Sequence, residues 1–315
     1  MPDRGYTGAA PEQKRHSSSG VFSIDEVNEF ENKNEYHSDK IVATYTLVGG
    51  GGGGGGGFHQ HGQPYRTGGG GGGGGVVQET EVEHFTVGTS YAVTLGSGGS
   101  AGGGSGPNNS FSTTQTPGGA GSDSTLATDV GTKTAYGSAG GAGACEDNGH
   151  NSANASGGGA GSFNATLTGG TSGSQGNDGS GNSPGNNSMG GNGGSFSAAG
   201  DTSTSGDKNG TSNSLRNYTS DSLFNLSTIS PQGNSGNHGG ASITAGKALT
   251  GQGGGAGNAS SNGAAGGSGV LAIKYASDLT IDFGANTGTE RTSRDGLYKI
   301  AEITAGGGNI SWSRS

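Results

Sequence analysis

What this sequence lacks narrows its chemistry before any motif is considered. It has one cysteine, Cys145, which excludes an internal disulfide and a cysteine-built zinc cluster. Its 7 prolines are too few for collagen, and its unbroken glycine runs lack the every-third-residue pattern of a triple helix. Hydrophobic residues are 26% of the chain and charged residues 12%, each about half the usual share. That combination suits neither an ordinary enzyme nor a charged disordered tail. A net charge of −9 and a pI of about 5.1 disfavour a nucleic-acid partner, because phosphate contact calls for a basic face. No run of about 20 apolar residues is present to span a membrane. The opening MPDRGYTGAAPEQKRHSSSG has no apolar stretch, so no export signal is expected there. The expected location is therefore intracellular, or extracellular after release by lysis.

What is abundant is glycine: 76 of 315 residues, more than three times the roughly 7% of ordinary proteins. Residues 1–40 are polar and charged but contain Val21, Phe22, Ile24, Val27 and Phe30. The spacing 24, 27, 30 suits one face of a short helix, and Ser23 with Glu26 resembles a capping box. Such a segment either docks on its own domain or anchors the protein to a partner. Residues 41–48 (IVATYTLV) predict a strand that runs directly into nine glycines, Gly49–Gly57. The insert Phe58–Thr67 follows, then Gly68–Gly75, a strand from Val76 to about Val87, a turn at 88–90, and a strand from Tyr91. Residues 100–268 alternate Gly/Ala/Ser/Asn runs with loosely repeated Ser-Phe pairs at Phe111, Phe163 and Phe196. Large side chains are too sparse there for an ordinary core. From Val270 the chain returns to strand patterns, ending at Ile310–Trp312. Four segments result: an N-terminal attachment segment at 1–40, an antiparallel β unit with polyglycine excursions at 41–99, a glycine-rich bundle at 100–268, and a C-terminal β unit at 269–315.

Ordering glycine costs about 0.5–1 kcal/mol more than ordering alanine, so so many glycines mean either a flexible linker or something only glycine permits. The second reading is polyglycine II: extended left-handed helices with about 3 residues per turn and no internal hydrogen bonds. Without Cβ, such helices approach closely and bond backbone to backbone, satisfying their buried polar groups without a hydrophobic core. The expected fold is all-β/irregular: a bundle, or sandwich, of polyglycine II helices flanked by small antiparallel β elements, with almost no α-helix.

The order Leu47-Val48, long glycine run, Gly74-Gly75-Val76-Val77, then Tyr91-Ala92-Val93-Thr94-Leu95-Gly96-Ser97-Gly98-Gly99 resembles the glycine-rich domain of bacteriophage tail proteins. The closing Gly267-Ser268-Gly269-Val270-Leu271-Ala272-Ile273-Lys274-Tyr275 is similar to the end of that domain. The texture also resembles the tail-fibre-tip adhesins of T-even-like phages, from which the chain departs in having only 40 residues ahead of the first strand. The resemblance implies a non-enzymatic virion protein of the tail or surface fibre, released by lysis, whose distal loops bind a host receptor. Implied partners are a host cell-surface glycan or outer-membrane protein, other tail or fibre proteins, and further copies of the chain. The alternative is a purely structural glycine-rich protein, either a capsid decoration fibre or a self-assembling extracellular filament.

Candidate receptor contacts are Phe58, His59, His61, Tyr65 and Arg66 in the insert, and Leu215, Arg216, Tyr218 and Phe224 in the glycine-poor stretch 211–231. Flat aromatics and arginine suit such contacts, but the same side chains would also cap the open edges of a glycine stack. His59-Gln60-His61 could contribute to a shared metal site, although a polar loop is the plainer reading, and no metal or other cofactor is expected. Glu79, Glu81 and Glu83 would alternate along one strand face, where solvation is the plain reading. No carboxylate pair, nucleophile elbow or phosphate loop stands out, and Cys145 shows no activating partner in the sequence.

Overall fold

The β-branched and aromatic runs form ten strands, which a computed structural model places in two five-stranded antiparallel sheets. The described residues are 39–59, 66–105, 115–145, 148–162, 166–182, 190–195, 199–200, 245–246, 248–258, 261–293 and 296–314. The strands are β1 (Lys40–Val48), β2 (Val76–Thr86), β3 (Tyr91–Thr94), β4 (Ser124–Leu126), β5 (Lys133–Ala135), β6 (Val270–Ala276), β7 (Leu279–Asp282), β8 (Thr287–Thr292), β9 (Tyr298–Ala305) and β10 (Gly307–Arg314). The first sheet runs β2-β1-β6-β9-β8 and the second β5-β4-β3-β10-β7. No α-helix occurs among the described residues, as the all-β/irregular expectation requires.

The alternating side chains of the two sheets interleave in one core. Tyr45, Leu47, Leu271, Ile273, Tyr275 and Ile303 from the first sheet meet Tyr91, Val93, Leu126, Ile310 and Trp312 from the second. Phe85 stands edge-on to Tyr91, with ring centroids 5.1 Å apart, and packs against Trp312 at 5.0 Å. The β units expected separately at 41–99 and 269–315 are thus one sandwich: β6 pairs β1, and the C-terminal β10 lies between β3 and β7. The last strand is interior rather than an edge: its first half, Gly307–Ile310, pairs β3 and its second half, Ser311–Arg314, pairs β7.

The second layer of organisation is a bundle that grows out of this sandwich. After Val48 the chain keeps its direction but gives up side chains, and Gly49–Gly57 becomes the bundle's axis. Its NH groups follow a period of three. Gly49, Gly52 and Gly55 donate to the carbonyls of Gly75, Gly72 and Gly69; Gly50, Gly53 and Gly56 donate to Ser122, Gly119 and Thr116; Gly51, Gly54 and Gly57 donate to Gly267, Ala264 and Ser261. Its carbonyls face three further segments. Gly50, Gly53 and Gly56 accept from Ser138, Gly141 and Ala144; Gly51, Gly54 and Gly57 accept from Gly99, Gly102 and Ser105; Gly52 and Gly55 accept from Gly254 and Gly257. Three antiparallel and three parallel neighbours therefore surround one strand of backbone. None of Gly49–Gly57 has a positive φ, which fits the left-handed polyglycine II helix with its three residues per turn.

This geometry revises one expectation. The bundle's centre is supplied by 49–57 and 68–75 rather than by 100–268 alone, and that longer region also carries β4 and β5. The central helix has no outward side. A Cβ built on Gly52, Gly53, Gly54, Gly55 or Gly56 would lie 1.9–2.0 Å from a backbone carbonyl oxygen of Ala139, Ser100, Gly255, Ala142 or Gly103 respectively. Threefold alternation of burial appears instead in a peripheral helix, where Gly96, Gly99, Gly102 and Ser105 are buried while Ser97 and Ser100 are exposed. Where a small side chain enters the interior, it takes over backbone bonding: the Ser138 hydroxyl donates to the Gly72 carbonyl at 2.6 Å and accepts from Gly52 NH at 2.7 Å.

The expected consequence is a uniform intolerance along the axis. Gly53→Ala should lower the melting temperature by roughly 10 °C or more, since several kcal/mol of displaced backbone bonding is at stake. Alanine at each of positions 51–56 should behave alike, with no three-residue rhythm, whereas Ala265→Val at an exposed peripheral position should change stability by no more than about 0.5 kcal/mol. Thermal unfolding followed by circular dichroism checks this.

Candidate functional site

The bundle has two unlike ends. At one, helices pass into the strands of the sandwich through a small apolar seam of Val48, Val76 and Val270, with Leu249 packed against it. At the other, the chain repeatedly turns back. Ser105 NH bonds the Gly57 carbonyl, Gly56 NH bonds Thr116, and Gly57 NH bonds Ser261, so the connections after Gly57, Ser105 and Asn258 share that level. Cys145 NH bonds the Ser162 carbonyl at 3.1 Å, and Asn182 NH bonds the Leu167 carbonyl at 3.3 Å. These contacts bring the connections after Cys145, Ser162 and Asn182 to the same end.

The insert begins and ends as a clasp. Phe58 and Arg66 exchange backbone hydrogen bonds at 2.9 and 3.0 Å, and Phe58 also bridges Ser105 in parallel. Among the described residues of the bundle, Phe58 is the one buried side chain larger than alanine that is wholly apolar. It closes the glycine helices where they stop. Arg66 is 2% exposed. Phe58 and Arg66 therefore cap the bundle end and present no surface for a receptor, which corrects their assignment as contact residues; a receptor contact must desolvate a group that is accessible beforehand. His59 is half-buried beside them. His61, Tyr65, Leu215, Arg216, Tyr218 and Phe224, with the Ser-Phe pairs at 111, 163 and 196, lie outside the described residues.

The structure also pairs two residues that sequence spacing gives no reason to connect. Burial pushes the Cys145 thiol above its ordinary value, while the charge of Arg66 and a hydrogen bond from its guanidinium pull the other way without prevailing. Cys145 thus has a cationic neighbour that its sequence context does not announce, and burial still disfavours the reactive thiolate. The three glutamates expected on one face of β2 do not stay together. Between Ala43 and Tyr45 the pairing of β1 with β2 slips by one residue, from Val82 to Glu79, and Glu81 takes a φ of 52° in the bulge. Glu79 pairs instead with Lys133 at 2.7 Å. No group of three or more His, Cys, Asp or Glu side chains able to hold a metal occurs among the described residues, and they contain no helix long and apolar enough to cross a membrane.

At the sandwich's far end, Asp129 in the β4–β5 connection gathers four groups. It accepts from Lys40 Nζ at 2.6 Å, from the Thr86 hydroxyl at 2.7 Å and from the Tyr91 hydroxyl at 2.7 Å, and its NH bonds the His84 carbonyl at 2.9 Å. This ties the hairpin turn of the second sheet to the start of β1. Burial alone would raise the Asp129 carboxyl, but the hydrogen bonds from Lys40, Thr86 and Tyr91 outweigh it and hold the group below its ordinary value.

A family model described as a glycine-rich domain matches residues 35–276, more than three quarters of the chain. None of the curated proteins compared with the chain matches it. The matched segment ends at the last residue of β6, so the four strands β7–β10, including the interior β10, lie beyond it.

Because the Asp129 carboxyl titrates lower folded than unfolded, its contribution is complete above the unfolded value near 4 and is lost as pH falls through the lower folded value. Asp129→Asn should therefore cost about 1 kcal/mol at pH 6 and progressively less as the pH is taken below 4. Urea unfolding of both proteins across that range measures the convergence.

Proposed function

The chain belongs to the glycine-rich domain family, and from that premise we propose that it is a virion adhesin: a phage tail or fibre protein that meets its host receptor through connections displayed on a polyglycine II scaffold. The observation that carries this reading is the division of labour between the two ends of the bundle. One end is sealed into a sandwich whose aromatic core fixes the register of the emerging helices. The other end gathers the connections after Gly57, Ser105, Cys145, Ser162, Asn182 and Asn258. A rigid scaffold with variable connections at one extremity is the arrangement that recognition proteins use, because a connection tolerates sequence change while the scaffold does not.

The scaffold suits an exposed, protease-rich setting. Its helices are held by backbone hydrogen bonds in several directions, so no single side chain outside the sandwich is needed for its cohesion. Receptor specificity then resides in the aromatic and arginine side chains of the connecting segments. Tyr65 and the stretch holding Leu215, Arg216, Tyr218 and Phe224 are the proposed contacts. Phe58 and Arg66 set the clasp from which the 60–65 segment departs. The partner is a host surface glycan or outer-membrane protein, and the protein reaches it as part of the particle.

The test uses virions and the purified chain together. Immunogold labelling should place the chain on the tail or fibre of purified particles, and the isolated protein should compete with particles for adsorption to host cells. Replacing residues 211–231 by a Gly-Ser segment of equal length should leave the melting temperature within about 3 °C and abolish that competition. Absence of the chain from purified particles would refute the reading, and long polymers of the purified protein in electron micrographs would favour a structural filament instead.

A further inference from the structure

The first sheet has two faces, and only one of them meets the second sheet. Residues 41, 43, 45 and 47 of β1, with 271, 273 and 275 of β6 and 301 and 303 of β9, point into the sandwich core. Their neighbours along each strand point away from it. On that outer face the pairing sets Thr46 beside Ala272, and Lys274 beside both Thr44 and Ile300. Thr46, Ala272 and Ile300 are only 1%, 5% and 4% exposed. Thr46 and Ala272 are too short to shield each other to that extent, and the longer neighbours on this face, Gln78, Glu302, Lys274 and Arg291, flank the patch from either side. The edge of the same face behaves as an open one, with Val42 at 51% and Tyr298 at 40%. Among the described residues, Leu249 packs on this face only at its bundle end, against Val48, Val76 and Val270.

We propose that the N-terminal segment Val21–Phe30 covers the outer face of the first sheet, laying Ile24, Val27 and Phe30 over Thr46, Ala272 and Ile300. Three observations select this occupant. The chain enters the structure at Asp39, immediately before β1, and residues 31–38 can reach back about 25–30 Å when extended. The distance along β1 from Lys40 to Thr46 is only about 20 Å. The apolar positions 24, 27 and 30 make one stripe of the length the buried patch requires. Between its apolar positions the segment carries Asp25, Glu26 and Glu29, and the outer face sets two cations beside Ile300, Arg291 on β8 and Lys274 on β6, against one acid, Glu302, beside Ala272. The segment is then a strap on its own domain rather than a free anchor for a partner.

Two measurements on the full chain test this. In a Cys145→Ser background, Val27→Cys is combined either with Ala272→Cys on the outer face or with Val130→Cys, which sits at 62% exposure in the β4–β5 connection. Under mild oxidation the first pair should form a disulfide and the second should not, because bridging needs Cβ atoms roughly 4 Å apart. With Cys145 intact, the double variant Ile24→Asp/Val27→Asp should raise the fluorescence of a bound naphthalene-sulfonate dye about threefold while the sandwich keeps its circular dichroism. The proposal is overturned if Val27→Cys pairs no faster with Ala272→Cys than with Val130→Cys, if the dye signal does not change, or if Ala272→Cys pairs preferentially with Leu223→Cys, which would give the face to the 201–244 segment.

Discussion

Everything in this molecule depends on how closely two backbones can approach. A carbonyl oxygen of Ser100 lies 1.9 Å from where a Cβ of Gly53 would stand, and the same is true around the axis for Ala139, Ala142 and Gly103. Side chains would hold the helices apart, and each NH and carbonyl would then need another partner. Without side chains, the hydrogen bonds of the extended backbone become the packing itself. A bundle built this way has almost no buried apolar area to lose, so its cohesion rests on satisfied polar groups. Burying a backbone group unpaired costs about 1–3 kcal/mol, which makes the arrangement cooperative: one displaced helix unsatisfies several neighbours at once.

The change from sheet to bundle is a change of period. In β1 the backbone groups alternate between two sides, so the strand has two neighbours, β2 and β6. From Gly49 they rotate by thirds, and the continuing chain is surrounded by six segments. The two partners of β1 remain beside it: β2 is preceded by Gly68–Gly75 and β6 by the helix ending at Gly269, both still bonded to the axis. The sandwich thus acts as the jig for the bundle. Its core of Tyr45, Phe85, Tyr91, Tyr275 and Trp312 fixes which helices lie side by side, a choice that uniform glycine could not make because it slides freely in register.

Much of this was legible in the residues. The strands at 41–48, 76–86, 91–94, 270–276 and 279–282 announced themselves through β-branched alternation, and the glycine runs could mean little else than polyglycine II once a linker was set aside. The joining of the two β regions was not legible, because pairing of β1 with β6 spans more than 200 residues of sequence and alternation says nothing about partners. β4 and β5 were missed for a different reason: three-residue strands such as Ser124–Leu126 carry too little pattern. The bulge at Glu81 hid the scattering of the β2 glutamates. At the proposed binding end, Phe58 and Arg66 were found as chemically distinctive residues, but their burial was not foreseeable, since an aromatic at the end of a glycine run serves equally well as a contact or a plug. The link between Arg66 and Cys145 had no sequence signal at all.

If the bundle's cohesion is backbone hydrogen bonding around one axis, then the amides of Gly49–Gly57 should be among the most protected in the protein. Native-state hydrogen exchange, read residue by residue on glycine-labelled protein, measures this directly. The account predicts that Gly50–Gly56 exchange only through global unfolding, as slowly as the amides of Tyr45 and Ile273 in the sandwich core. Exchange of the glycine run within seconds, while the sandwich amides stay protected, would show a flexible tract tethered to a small β domain and would contradict the account.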